Sequence, residues 1–167
     1  MFKKTILITA LITISLGILA LSGCTSKPVS ANSSNNITAK QTTIQATLSG
    51  NTVSIPAGDV ERLVNTRFKV ATATASLTFM AYKYNNQTYV RADICPPCGS
   101  QSFTLKNGTL VCDTCGTVFN ASTGAGVSGA CVKYAKQLVS FQTQDGNIVM
   151  NGADLTSAFQ KTLNPGK

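Results

Sequence analysis

The sequence contains no histidine, and this absence excludes several kinds of site. Ser-His-Asp and Cys-His catalysis both need an imidazole as the general base. Haem attachment through C-x-x-C-H, Cys2His2 metal sites and the usual imidazole-ligated copper sites also need one. No general acid or base can be named, so we expect this chain not to be an enzyme.

Acidic residues are scarce as well: six stand against fourteen basic residues, and the net charge is +8. The basic residues are scattered and form no run, so nucleic acid is not an expected partner. A mild attraction to anionic lipid headgroups or to acidic proteins is the expected effect of this charge, and an aid to solubility is the plainer explanation.

The N-terminus has the order of a secretory signal. Lys3 and Lys4 precede a largely apolar run, which ends in Leu21-Ser22-Gly23-Cys24. This ending resembles the lipobox of bacterial lipoproteins, which implies that residues 1–23 are a signal peptide and that Cys24 is lipid-modified. The chain is then expected to be extracytoplasmic and held to the membrane by acyl chains. An uncleaved N-terminal anchor is the alternative.

Residues 24–43 are rich in Ser, Thr and Asn and poor in apolar side chains. Such a segment cannot bury a core, so it is predicted to be a flexible tether. Residues 44–167 remain for the folded part, enough for one small domain.

That domain is predicted to be mainly β. Asn107-Gly108 and Asp145-Gly146 indicate two hairpins, and Asn85-Asn86 indicates a further turn. The segments predicted as strands are rich in β-branched and aromatic residues: 52–55, 67–73, 77–83, 88–94, 102–106, 109–112, 138–144 and 147–151. Helical spacing of apolar residues near Val60 and near Leu155 predicts one or two short helices, with core packing as their role.

Two C-x-x-C pairs, each followed by glycine, lie within residues 95–116. They are Cys95/Cys98 and Cys112/Cys115, and thirteen residues separate them. Each pair predicts a tight turn, or knuckle, in which two sulfurs reach one ion. The hairpin at Asn107-Gly108 lies between the pairs and would turn one knuckle towards the other. The pattern predicts a four-sulfur metal site, as in a zinc ribbon.

The residues alone leave the occupant of this site open. Zinc is the commonest ion in two C-x-x-C pairs and would be structural. An iron–sulfur cluster also takes four cysteines and would carry electrons. Soft thiolates suit copper(I) as well. Disulfide formation or thiol exchange is a further alternative, because an extracytoplasmic compartment is often oxidising.

The sequence after the second knuckle resembles the second half of a Rieske domain. Cys112 and Cys115 stand as a ligand pair, Gly116 and Phe119 match G-x-x-F, and Thr123-Gly124 matches the following turn. The resemblance implies a Rieske-like β-domain. A Rieske ligand pair contains one histidine, so the missing histidines exclude a true Rieske cluster and imply an all-cysteine site of lower potential.

A closer resemblance is to the membrane iron–sulfur FtrD-like family. The matching features are Ile94-Cys95, Cys98, the second C-x-x-C, Phe119 and Gly129-Ala130-Cys131. The resemblance implies an iron–sulfur electron carrier held by Cys95, Cys98, Cys112 and Cys115, with Cys131 as a further candidate ligand or redox neighbour.

The same family resemblance suggests a membrane redox protein or an iron permease as partner. A spare thiol is the plainer explanation of Cys131, and a zinc-stapled binding lipoprotein is the alternative function.

Overall fold

The structure is a computed structural model, and it describes residues 37–73 and 75–166. The predicted signal peptide, Cys24 and the predicted tether up to residue 36 lie outside the described residues, so these assignments stay predictions. In the part of the chain that is described, no helix is both long and apolar enough to cross a membrane.

The described residues form thirteen mostly short strands and two helices, which confirms the prediction of a mainly β domain with short helices. In chain order they are β1 (Thr38–Ala39), β2 (Thr42–Thr43), β3 (Thr47–Ser49), β4 (Thr52–Pro56), α1 (Ala57–Leu63), β5 (Asn65–Ala71), β6 (Ser76–Tyr84), β7 (Gln87–Ala92), β8 (Phe103–Lys106), β9 (Thr109–Cys112), β10 (Val118–Asn120), β11 (Gly126–Ser128), β12 (Phe141–Gln144), β13 (Asn147–Asn151) and α2 (Gly152–Leu163).

The strands form three sheets. The central sheet has the order β2-β5-β6-β7, a second has β12-β13-β4-β3, and the five-stranded sheet has β1-β8-β9-β10-β11. Nearly all pairings are antiparallel, and β2 with β5 is a parallel exception. The turns at Asn85-Asn86, Asn107-Gly108 and Asp145-Gly146 connect paired strands, so all three predicted turns are confirmed.

The long strand β6 is buried on both faces, and it divides two hydrophobic cores. Leu77, Phe79 and Ala81 point into one core, whereas Met80 and Tyr82 point into the other, because successive side chains of a strand alternate. We call the first the aliphatic core; it also contains side chains from β4, β5, β13 and both helices. We call the second the cysteine core; its buried members are Met80, Tyr82, Cys95, Phe103, Leu105, Leu110, Cys112, Phe119, Ala121 and Cys131.

Both helices pack on the aliphatic core and so stay away from the cysteines. In α2 the buried residues Leu155, Ala158 and Phe159 lie on one helical face, as their spacing predicts. The side chain of Asn151 caps this helix by accepting a hydrogen bond of 2.8 Å from the Ala153 N–H.

Residues 38–43 correct the predicted extent of the tether. β1 pairs with β8, and β2 pairs with β5, so these residues belong to the folded domain. The side chain of Asn65 also donates a hydrogen bond to the Ala39 carbonyl. The prediction failed because short edge strands need only backbone partners, and their polar sequence carries no hydrophobic pattern.

The predicted strand 138–144 is shorter than expected. Its regular part begins at Phe141, while Leu138 makes only an isolated bridge with Arg91. Val139 turns instead into the aliphatic core and donates its N–H to the Val90 carbonyl. Besides β1 and β2, the strands β3, β10 and β11 were not predicted, and the last two lie beside the cysteines in the five-stranded sheet.

Candidate metal centre

The first knuckle, Cys95–Gly99, begins just after β7. The N–H groups of Cys98 and Gly99 both point back to the Cys95 carbonyl, at 3.2 and 2.8 Å. Gly99 has a φ of 70°, in the left-handed region that glycine adopts without strain. The glycine therefore lets the chain turn sharply after the second cysteine, as its place in the motif predicts.

The second knuckle, Cys112–Gly116, repeats this geometry at the end of β9. The Gly116 N–H donates to the Cys112 carbonyl at 2.9 Å, and Gly116 has a φ of 69°. The Cys112 N–H donates to the Thr117 carbonyl, which ties the start of the knuckle to its exit. Both C-x-x-C-G units thus form the same turn.

The β8–β9 hairpin brings the two knuckles together. The Sγ atoms of Cys98 and Cys112 lie 3.7 Å apart, and those of Cys95 and Cys115 lie 3.9 Å apart. Each close contact therefore joins one cysteine of the first knuckle to one of the second, which is the arrangement that the hairpin predicts.

Cys131 joins the site from the segment after β11. Its Sγ lies 3.8 Å from that of Cys115, and its N–H donates to the Thr117 hydroxyl at 3.2 Å. Gly129 makes this approach possible, because a Cβ there would lie 2.7 Å from Thr117 and the φ of Gly129 is 107°. Cys131 is therefore a neighbour of the site rather than a distant thiol.

The five sulfurs are not equivalent in geometry. Those of Cys95, Cys98, Cys115 and Cys131 all lie within 4.8 Å of one another. Cys112 lies outside that group of four, although it contacts Cys98. All five are free thiols in the structure. The choice of ligands among these five stays a prediction.

The site has a buried side and an exposed side. Cys95, Cys112 and Cys131 are buried, Cys98 is half-buried, and Cys115 is exposed. Burial raises the pKa of Cys95 and of Cys112, because an apolar environment disfavours the thiolate. A hydrogen bond with the Thr117 side chain, at 3.3 Å, is the main cause that lowers the pKa of Cys115 to about 6. The exposed thiol of Cys115 is thus more easily ionised than the buried thiols of Cys95 and Cys112.

A buried lysine lies near the buried cysteines, and a buried aspartate, Asp93, lies two residues before Cys95. The Lys136 ammonium is fully buried and donates to the Ile94 carbonyl. Burial lowers the pKa of Lys136, while charges on Cys95, Cys112 and other groups act in the opposite direction. Burial also raises the pKa of Asp93 to about 7.

Sequence reasoning missed Lys136 and Thr117 as neighbours of the cysteines. Thr117 follows the knuckle glycine directly, and that position was its only signal. No pattern in the sequence indicates that Lys136 is buried.

The donor set fits an iron–sulfur centre, since such centres take cysteine thiolates and the sequence has no imidazole to offer. The sulfur separations of 3.7 to 3.9 Å also match a tetrahedron around one ion, in which bonds of about 2.3 Å place sulfurs about 3.8 Å apart. Geometry alone therefore fits both zinc and iron, and the comparisons with known proteins decide between them.

Residues 60–161 match the family described as "Membrane iron-sulfur containing protein FtrD-like". The chain belongs to this family. This membership confirms the resemblance seen in the sequence, and it makes iron–sulfur the cofactor of the cysteine site. No curated protein matches the chain.

Two solved structures are similar to this chain, and the first of them supports the fold. A chain in a complex of reduced oxygenase and oxidized ferredoxin in carbazole 1,9a-dioxygenase is similar, with a TM-score of 0.51 and 21% identity over 62% of this chain and 95% of that chain. A ferredoxin of Sphingomonas yanoikuyae B1 has a TM-score of 0.42 and 15% identity over 51% of this chain and 83% of its own. At these identities the first likeness shows the fold alone, and it confirms the predicted Rieske-like β-domain.

Proposed function

We propose that this protein is an extracytoplasmic electron carrier, anchored to the membrane through a lipid on Cys24. Its iron–sulfur centre is held by Cys95, Cys98, Cys112 and Cys115, with Cys131 beside it. A bound centre of this kind supplies one-electron oxidation and reduction. The chain contributes the cage, its rigidity and its covering.

One observation carries the proposal: the cysteines converge on one site, with a gradient from buried to exposed. Cys95 and Cys112 lie in the cysteine core, where aromatic side chains exclude water, whereas Cys115 reaches the surface. Electron exchange requires a short distance between the centre and its partner. The exposed knuckle supports an exchange of electrons across this face.

The strands support a second requirement, which is a cage that moves little when the charge changes. Both knuckles are closed by backbone hydrogen bonds, and the hairpin between them is fully paired from Phe103↔Cys112 to Lys106↔Thr109. Such a cage holds the sulfurs in place in both redox states. This rigidity favours electron transfer over chemistry on a substrate.

We further propose that the partner is a membrane protein, either a redox protein or an iron permease. The family description names membrane iron–sulfur proteins, and the predicted lipid at Cys24 would keep the domain beside the membrane. Residues 25–36 would give the domain reach between anchor and partner.

The first experiment tests the centre itself. The full chain, purified from membranes in detergent without oxygen, is analysed for iron, zinc and acid-labile sulfide, and its visible spectrum is recorded before and after dithionite. We expect iron with sulfide and a brown colour that bleaches on reduction. One colourless zinc per chain with no sulfide would overturn the proposal in favour of the zinc-stapled lipoprotein.

A second experiment tests the ligands by single Cys→Ser substitutions. We expect Cys112→Ser to lower iron content strongly and Cys131→Ser to keep the iron but change the potential. The reverse result would assign the ligands to the group of four that contains Cys131 and excludes Cys112.

A third experiment tests the anchor. Fatty-acid label is expected on the full chain and absent from Cys24→Ser, which should leave the membrane fraction. The matched control Cys131→Ser should keep both label and membrane location. Label on Cys24→Ser would contradict lipid attachment at that residue.

A further inference from the structure

Lys136 places an ammonium group beneath the cysteine site. The residue is 1% exposed, and its Nζ donates a hydrogen bond of 2.5 Å to the Ile94 carbonyl, one residue before Cys95. The same Nζ lies 4.3 Å from the ring centroid of Phe119 and 5.0 Å from that of Phe103. The cation is therefore held between two aromatic faces, an arrangement that attracts it.

These two rings belong to the same core as the cysteines. Phe103 pairs with Cys112 across the β8–β9 hairpin, and Phe103 and Phe119 pack edge to face at 6.0 Å. The two rings and the Ile94 carbonyl contact the ammonium. The charge thus lies in the apolar interior that encloses the buried sulfurs.

No carboxylate in the described part of the chain pairs with this cation. The ion pairs found there are Arg62 with Asp59 and Lys83 with Glu61, and neither involves Lys136. Asp93 is buried nearby and acts electrostatically on Lys136, but its oxygens do not come within ion-pair distance of the ammonium. An unpaired charge inside a protein costs several kcal/mol, so the position of Lys136 needs an explanation.

The backbone holds Lys136 firmly in this position. Its carbonyl accepts a hydrogen bond of 2.7 Å from the buried Arg91 guanidinium, and its N–H donates to the Gly124 carbonyl at 2.8 Å. Gly124 has a φ of 77°, and a Cβ there would overlap both the Lys136 carbonyl and Arg91. The backbone of Lys136 is therefore fixed, and the burial of its side chain does not result from a flexible chain.

We propose that the Lys136 ammonium is the counter-charge of the iron–sulfur centre and raises its reduction potential. This inference rests on the proposed function. Reduction adds one electron and no proton, so the thiolate-ligated site gains one unit of negative charge. A fixed cation in a medium of low dielectric stabilises the more negative state, and the net charge near a cluster is one determinant of its potential.

The test is the reduction potential of Lys136→Met, measured on the iron-loaded full chain by a spectroscopic redox titration without oxygen. Methionine retains the length of the side chain and removes the charge. We expect the equilibrium constant for one-electron reduction to fall at least tenfold, which is 59 mV for a one-electron couple. The matched control is Lys133→Met, which removes the same charge from an exposed side chain over the Tyr134 ring. It should change that constant less than twofold.

A readout without the iron centre separates this role from a structural one. In the metal-free chain, Lys136→Met should be at least as stable to urea as the wild type, because it removes an unpaired buried charge. Its affinity for zinc should nevertheless fall, since a site of four thiolates around Zn²⁺ is anionic. Lower metal-free stability with unchanged potential and zinc affinity would overturn the inference.

Two further outcomes show which of the two claims has failed, the proposed function or the counter-charge role of Lys136. If the wild type binds no iron and sulfide, the proposed function fails, and zinc affinity alone then tests the counter-charge. If the iron-loaded wild type and Lys136→Met have equal potentials, only the counter-charge inference fails. Lys136→Arg keeps a cation at this position, so its potential should stay close to that of the wild type, in contrast to Lys136→Met.

Discussion

The two cores on either side of β6 differ in what holds them together. The aliphatic core is built from side chains that need only one another, such as Phe79, which stacks on Phe68 and meets Phe159 edge to face. The cysteine core contains thiols and, beside them, the buried cations Arg91 and Lys136. One interior is complete without a cofactor, whereas the other contains Lys136, a buried cation with no carboxylate partner among the described residues.

The two cores therefore have different roles in one small domain: the aliphatic core stabilises the fold, and the cysteine core holds the functional site. The helices and the β4–β13 pair surround the first core, and the two knuckles close the second. Each core should therefore respond differently to loss of metal and to mutation.

The largest expected effect comes from removing the metal. Binding to a four-cysteine site contributes on the order of 10 kcal/mol of apparent free energy, which couples to folding. We expect metal-free protein to lose amide protection in β8, β9 and β10 and to keep it in β5, β6 and β13. Hydrogen exchange read by mass spectrometry checks this, and a uniform loss across all strands would remove the distinction between the cores.

The next effect is truncation of a ring in the aliphatic core. Phe79→Ala should destabilise the protein by about 3–5 kcal/mol, because a fully buried aromatic side chain leaves a cavity. Iron per folded chain should not change. Urea unfolding and iron analysis measure the two quantities.

Its matched control is Phe103→Ala in the cysteine core, which should cost a similar free energy and also lower the iron content. Iron loss from Phe79→Ala as large as that from Phe103→Ala would show that the cores are coupled.

A smaller effect is expected at Tyr82, whose hydroxyl joins the cysteine core to the buried guanidinium of Arg91. Its hydroxyl donates to the Ala121 carbonyl at 2.5 Å and accepts from Arg91 Nε at 2.8 Å. Tyr82→Phe leaves both partners buried and unpaired, and it should cost about 1–3 kcal/mol. Tyr84→Phe, near the end of the same strand, should cost less.

Tyr82 also predicts an alkaline limit to stability. Burial raises the pKa of Tyr82 to about 12, so above pH 10 the unfolded chain loses this proton before the folded chain does. The contribution of the group is full below pH 10 and is lost as the pH rises through 12. Unfolding free energies of the wild type should therefore decline in this window more steeply than those of Tyr82→Phe, and parallel curves would contradict the assignment.

The smallest effects are expected for substitutions of the knuckle glycines, and they allow the two knuckles to be compared. Gly99→Ala and Gly116→Ala should each cost about 1–2 kcal/mol, because both glycines have a positive φ and neither has a neighbour that a Cβ would meet. Thermal unfolding of the metal-loaded chain, in which both knuckles are formed, measures both. Gly58→Ala in α1, where a Cβ meets nothing, should be neutral or stabilising. Clearly unequal costs at the two knuckles would show that their turns are not equivalent.

The sequence predicts those parts of the molecule that local chemistry decides. Asn107-Gly108 and the C-x-x-C-G units specify their turns by backbone preference, so the hairpin and both knuckles were predictable. The two-residue strands β1 and β2 were not, because they are polar and exist only through partners far along the chain. Burial of Lys136 follows from three-dimensional packing, and a single lysine in a sequence carries no mark of it.

Strand β6 has a consequence for how such a domain could be altered. Because its odd-numbered residues from Leu77 to Ala81 face one interior and Met80 and Tyr82 face the other, the strand offers two independent sets of positions on one backbone. Substitutions at Leu77, Phe79 and Ala81 should change the stability of the fold, whereas substitutions at Met80 and Tyr82 should change the redox site. Inserting or deleting a single residue in β6 would exchange the two sets and ruin both, so this strand should tolerate changes of side chain far better than changes of length.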